Sequence, residues 1–249
     1  MDENALGVVI LACLLVASIG SLAIHRRLPP QHGDDETLHV VRSIANIFVV
    51  LTSLVLGLLI NSAKNTLDSV DRNVHAFAAD VIMLDRLLRH CGPAAEGARQ
   101  RLLVYTRHAE SLIRDYRGAA SDRENEKLLD QAGASINALQ PQDAEQRAAL
   151  QSAQQQFVRV VELRWLIVGN TRGTIPMSLV VLVVGCLMLV FASYAWRAPP
   201  NAVVVASFLV ASLLLTAAVV LILDMDRPFT GPVRVSSDPL QRAVAEMGS

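Results

Sequence analysis

Apolar and polar positions alternate along this chain on two length scales. On the coarse scale four apolar blocks stand out, at about residues 5–24, 44–63, 177–196 and 202–223. Each is close to the ~20 residues that a helix needs to cross a bilayer. On the fine scale, Leu67, Val70, Val74, Phe77, Val81, Leu84 and Leu88 recur at alternating three- and four-residue spacing. That seam predicts a helix burying one stripe against partner helices. No proline or helix-stopping pair interrupts the stretch from Asp35 to Arg89 until Cys91-Gly92-Pro93. One helix is therefore expected to cross the membrane and continue well beyond it.

Three further helices follow the seam. Ala94 to Tyr116 repeats it with Ala95, Ala98, Leu102, Tyr105, Ala109, Leu112 and Tyr116. Ser121-Asp122-Arg123-Glu124 has the form of a capping box opening the next helix. Pro141 suits the first turn of a last one, which runs to Val168 and stops at Gly169-Asn170. Four helices return the chain to the membrane side from which it left. The predicted class is an all-α integral membrane protein with four transmembrane helices and a four-helix, coiled-coil-like extramembrane domain. Residues 1–63 form a transmembrane hairpin, 64–173 the bundle, 174–223 a second hairpin, and 224–249 a tail along the surface.

Composition agrees. The chain is 52% hydrophobic and 18% charged, against roughly 25% charged in a soluble domain. A net charge of −1 gives no reason to expect nucleic acid as a partner. Cys13, Cys91 and Cys186 are scattered without a CxxC spacing and read as apolar fillers. The six histidines form no His-x-x-x-His pair, and Glu36-x-x-His39 stands alone, so no metal and no cofactor are expected. Without a glycine-rich phosphate loop or a nucleophile elbow, no enzyme activity is expected either.

The chemistry lies on the second span. At 100° per residue, Asn46, Ser53, Gly57, Asn61 and Lys64 fall within an arc of about 80°. Asp68, Asp71 and His75 continue that stripe outside. Polar side chains at membrane depth face a protein neighbour or water. Two readings fit. The stripe lines a pore formed by several copies, with Asp68, Asp71 and His75 at its mouth. Alternatively, Ser53-x-x-x-Gly57 is a small-xxx-small pair that lets two backbones approach. A second distinctive piece is Leu223-Asp224-Met225-Asp226-Arg227-Pro228-Phe229-Thr230-Gly231, followed by Val233-Arg234-Val235-Ser236. Pro228 and Gly231 account for a helix stop and a turn. Asp224, Asp226, Arg227 and Phe229 are expected to dock the tail, the acidic pair clamping it to the helical domain.

That helix end resembles the C-terminal signature of the bestrophin-like family of bacterial and plant membrane proteins. The layout of two spans, a helical insert and two closing spans is similar as well. The resemblance implies a distant relation to bestrophins, oligomeric anion channels whose second span lines the pore. It implies a homo-oligomer, pentameric by analogy, in a lipid bilayer with a permeant anion such as chloride. Bestrophins narrow that span with bulky aromatics, and here it carries only Phe48, so no gate and no calcium site carries over. The alternative is a non-conducting scaffold or sensor whose bundle binds a partner protein.

Sidedness follows from the basic residues. Lys64, Arg72, Arg159, Arg164, Arg172, Arg227 and Arg234 lie on the side of the helical domain, against Arg26, Arg27, Arg42 and Arg197 on the other. The positive-inside rule places the helical domain and both termini in the cytoplasm of a bacterium, with the spans in its inner membrane. A reporter fused after Ser249 is expected to be active in the cytoplasm; activity confined to the periplasm would reverse this topology.

Overall fold

The computed structural model describes residues 3–25, 35–114, 119–169, 173, 175–196, 198–199 and 201–248. Several positions used above, Arg26, Arg27, Tyr116, Asn170, Arg172 and Arg197, lie outside the described residues. Among those described, the chain forms eight α-helices and no strand. They are α1 (Glu3–His25), α2 (Asp35–His90), α3 (Glu96–Arg114), α4 (Ala119–Asn137), α5 (Ala144–Gly169), α6 (Met177–Ala195), α7 (Ala202–Met225) and α8 (Asp238–Met247). Four of them, α1, α2, α6 and α7, are long and apolar enough to cross a membrane. The chain divides into two compact units: Met1–Asn65 with Thr174–Asp226, and Thr66–Gly173 with Arg227–Ser249.

Helix α2 contributes to both units. Its 56 residues extend about 84 Å at 1.5 Å per residue. The helix closes where the sequence predicts: Cys91 and Gly92 donate back to Leu88 and Arg89 at 3.1 and 3.2 Å. Gly92 takes a φ of 82° that a residue with a Cβ adopts only under strain. Arg89 and His90 occupy the last turn, where cations suit the helix dipole.

In the first unit α1 lies against α6 and α7. Ile10 and Leu14 of α1 pack with Val183 and Leu187 of α6 and Val219 and Ile222 of α7. Apolar packing does not drive association where lipid is equally apolar, so close approach and hydrogen bonds carry the specificity. Gly7 supplies the first, since a Cβ there would stand 3.1 Å from Val220. Ser21 supplies the second, donating to the Ala192 carbonyl at 2.7 Å. Asn201 caps α7 by accepting the Val204 amide at 2.8 Å. At the other end of α7, the Asp226 carboxylate accepts the Ile175 amide at 3.0 Å.

In the second unit the seam of α2 is the core. Val70, Val74, Val81, Leu84 and Leu88 are fully buried, together with Leu102 and Tyr105 of α3. Phe77 meets Tyr105 edge to face at 6.2 Å. One acid interrupts the seam: Asp85, 3% exposed, accepts from Arg89 Nε and Arg99 Nε, each at 2.9 Å. Arg99 also holds Glu96 at 2.8 Å, and the bond to Asp85 raises the Arg99 pKa. A buried acid with two guanidinium partners fixes the register of α3 on α2 in a way apolar contacts alone do not.

Three expectations change. The segment 224–249 does not lie along the surface as a tail: Leu240, Ala243 and Met247 of α8 are buried in the bundle core, with Phe229 and Val235. The three- and four-residue spacing of the α8 positions makes a short amphipathic helix, and Arg86 pairs with Glu246 beside it. Gly231, at φ 81°, turns the chain toward it, and the Val235 amide closes on the Pro228 carbonyl at 2.8 Å. Second, α4 begins at Ala119, so Ser121 falls inside its first turn. Third, α5 begins at Ala144 and not at Pro141, because Asp143 provides the cap. Its Oδ1 accepts the Gln146 amide at 2.7 Å while Gln146 Oε1 accepts the Gln142 amide at 3.0 Å.

Gly133 of α4 faces Phe157 of α5, and a Cβ there would come within 2.6 Å of the ring. Gly133→Ala is expected to lose about 1 kcal/mol net, the ~1 kcal/mol propensity gain being outweighed by overpacking. In a Phe157→Leu background the same substitution is expected to become neutral or stabilising. Thermal unfolding of the four detergent-solubilised forms reads that change of sign.

Candidate functional site

The membrane-crossing part of α2 presents three faces. Ala45, Thr52, Leu59 and Ala63 are buried against the rest of their unit. At 100° per residue these positions coincide, within about 40°, with the phase of the seam farther along the helix. A second face carries Ile47, Val50, Leu54 and Leu58, all large, apolar and exposed. Between them lies the third, with Asn46, Ser53, Gly57, Asn61 and Lys64, and every one of these is exposed in the single chain. The centre of this polar face is roughly 120° from the buried one.

The polar face is partly self-satisfied. Ser53 Oγ donates to the Val49 carbonyl at 2.8 Å, inside its own helix. Asn46 Oδ1 accepts from the Tyr194 hydroxyl of α6 at 2.7 Å. Beyond the neighbouring backbone of α2, no described residue lies within 4 Å of where a Gly57 Cβ would be. The small residue is therefore not required by any contact among the described residues.

Farther along, Asp68 and Asp71 are half-buried and His75 is exposed. His75 Nδ1 stands 3.5 Å from Asp71 Oδ2 and 2.9 Å from the Asp71 carbonyl oxygen. This acid–imidazole pair on one turn is open to solvent. The residues named for docking the C-terminal segment separate: Asp224 and Asp226 are buried at the end of α7, and Phe229 is in the bundle core. The acid pair of α7 and the stripe of α2 are distinct features.

Two participants escape the sequence. Tyr194 reads as an interfacial aromatic, yet it is the partner of Asn46 from 148 residues away, and no local pattern connects the two. Asp85 carried a signal that was there to find: an acid beside an apolar seam, with Arg89 one turn on and Arg99 just past the helix break.

Comparison with known proteins places this geometry among relatives. A family model described as the bestrophin-like domain matches residues 12–240. Two crystal structures of point mutants of a bacterial bestrophin homologue from Klebsiella pneumoniae share the fold. One gives a TM-score of 0.67 at 11% identity over 98% of this chain and 99% of that one. The other gives 0.65 at 12% identity, covering 97% of each. A crystal structure described as a membrane protein matches with a TM-score of 0.65 at 14% identity, covering 96% of each chain. No curated protein matches the sequence.

Tyr194→Phe is expected to cost about 1 kcal/mol, the scale of one hydrogen bond between membrane helices. In an Asn46→Val background the same change is expected to cost less, because the acceptor is already gone. A double-mutant cycle on reversible unfolding in detergent measures the difference.

Proposed function

The chain belongs to the bestrophin-like family, and on that premise we propose that it is a homo-oligomeric ion channel whose α2 lines a central pore. The observation that carries this reading is the exposed polar face of α2. Asn46, Ser53, Gly57, Asn61 and Lys64 lie together on a membrane-crossing helix and all are exposed, Tyr194 being the one described side chain of another helix bonded to them. Polar side chains facing lipid are costly, whereas the same face turned to a water-filled axis is satisfied. A ring of copies does this with one rotation, and the adjoining apolar face of α2 then meets lipid or a neighbouring subunit. The family resemblance suggests five copies.

The permeant ion in this reading is an anion. Lys64 stands at the end of the span and would form a ring of positive charge in the assembly, drawing anions toward the narrow part. Asp68, Asp71 and His75 follow at the mouth, where solvent screens them. The hydroxyl of Ser53 and the amides of Asn46 and Asn61 would replace part of the water shed by the ion. The balance of basic residues supports a bacterial inner-membrane location with the bundle and both termini in the cytoplasm.

Reconstitution into liposomes tests the reading. Anion efflux from the purified oligomer is expected, and Lys64→Glu is expected to lower the anion-to-cation flux ratio about fivefold or more. Gly57→Leu separates the two roles of the polar face. In a pore lining it keeps the oligomer intact and reduces flux; in a helix contact it dissociates the oligomer. An intact oligomer that passes neither anions nor cations would instead support a non-conducting scaffold that binds a partner through its bundle.

A further inference from the structure

Five large apolar side chains of the described bundle are 49–56% exposed: Met83, Val104, Val158, Trp165 and Leu166. Scattered singly, such residues are ordinary on any surface, whereas grouped ones mark a contact. Three of the five share one face of α5, where Val158, Trp165 and Leu166 fall within an arc of about 100°. Glu162 stands inside that arc, exposed, and has no ion pair among the described residues. This face is an apolar ridge with one acid on it.

A fourth of the five, Val104, borders a surface groove between α3 and α4. Gly97, Arg101 and Val104 line it from α3, and Leu128, Gln131 and Ala134 from α4. Arg101 is exposed and likewise has no ion pair among the described residues. Beyond the neighbouring backbone of α3, no described residue lies within 4 Å of where a Gly97 Cβ would be. The groove is open at Gly97, positive at Arg101 and apolar at Val104. The α5 ridge complements it in shape and in sign.

The two faces also match in register. Gly97, Arg101 and Val104 are spaced by four and then three residues, as are Val158, Glu162 and Trp165. α3 and α5 run in the same direction, because each lies antiparallel to α4. Gly97 meets Ala134 and Val104 meets Leu128 along the groove, while Asn137 bonds Gln154 and Asp122 bonds Arg164. Tyr105 and Arg164 border one cavity inside the bundle, and they stand four residues past Arg101 and two past Glu162. Two helical residues rise about 3 Å, so Arg101 and Glu162 lie at nearly the same height. Rotation about an axis along the helices preserves height and direction, and a ring of copies therefore brings equal heights together.

We propose that α5 of one copy docks in the α3–α4 groove of the next copy of this chain. Glu162 pairs with Arg101 of the neighbour, Trp165 rests on its Val104, and Val158 sits over its Gly97. Such a contact joins two different faces, which is the kind that closes a ring. It rests on the homo-oligomeric part of the reading above and not on conduction.

Cross-linking of the full-length, detergent-solubilised protein with a short bifunctional thiol reagent tests this, the parent chain with its own three cysteines serving as control. The double variant Arg101→Cys/Glu162→Cys is expected to give a ladder of covalent multimers. Each single variant is expected to stay at one chain on a denaturing gel. Arg101→Glu and Glu162→Arg are each expected to weaken assembly about tenfold or more, the scale of a close interfacial charge pair, and their combination is expected to restore it. An intact oligomer without the ladder overturns the proposal. Cross-linking of Glu162→Cys to itself does so too, since it shows like faces meeting. Unchanged assembly in both charge reversals is a third overturning result. A monomeric parent would sink the homo-oligomeric reading as well, whereas an oligomer lacking the ladder sinks only this contact.

Discussion

Inside a bilayer no water is available to hydrogen-bond a peptide group, so each crossing segment must satisfy its own backbone. That constraint makes α2 a helix through the membrane. The chain offers no residue to end it until Gly92, so the same hydrogen-bonded rod runs on to carry the seam of the bundle. A rod of fixed pitch locks the angular phase of every side chain along it. Ala45, Thr52, Leu59 and Ala63 lie on the phase of Val70, Val74, Val81 and Leu88, and the polar stripe is left on another side.

The two units solve the packing problem by different physics. In the unit built from α1, α6 and α7, lipid is as apolar as the side chains, and association leans on close approach at Gly7 and the Ser21 bond to Ala192. In the bundle, water drives burial, so the core is a dense set of Val, Leu and Ala positions along α2, α3 and α8. A polar group inside that core carries specificity: Asp85 with its two arginines holds one end.

Unused surface carries the functional argument. The polar face of α2 is exposed where a membrane would surround it, and no contact among the described residues requires Gly57 to be small. Both facts leave a face that the described residues do not explain. Membership of the bestrophin-like family turns an unexplained surface into a proposed lining.

The all-helical class, the four crossing helices and the seam of α2 could be read from the chain alone. Each is a periodic or length-limited property of a single segment, decided by backbone satisfaction and by 3.6 residues per turn. The polar stripe was legible for the same reason, since residues on one helix share a phase whatever surrounds them. What surrounds them was not legible. That α8 enters the bundle core, that Asn46 bonds Tyr194, and that Tyr105, Asn125 and Arg164 meet around one cavity all depend on segments far apart in the chain. Contacts of that kind have no spacing rule. Only the folded structure could show that Asp143, not Pro141, caps α5, or that the stripe on α2 stays exposed among the described residues.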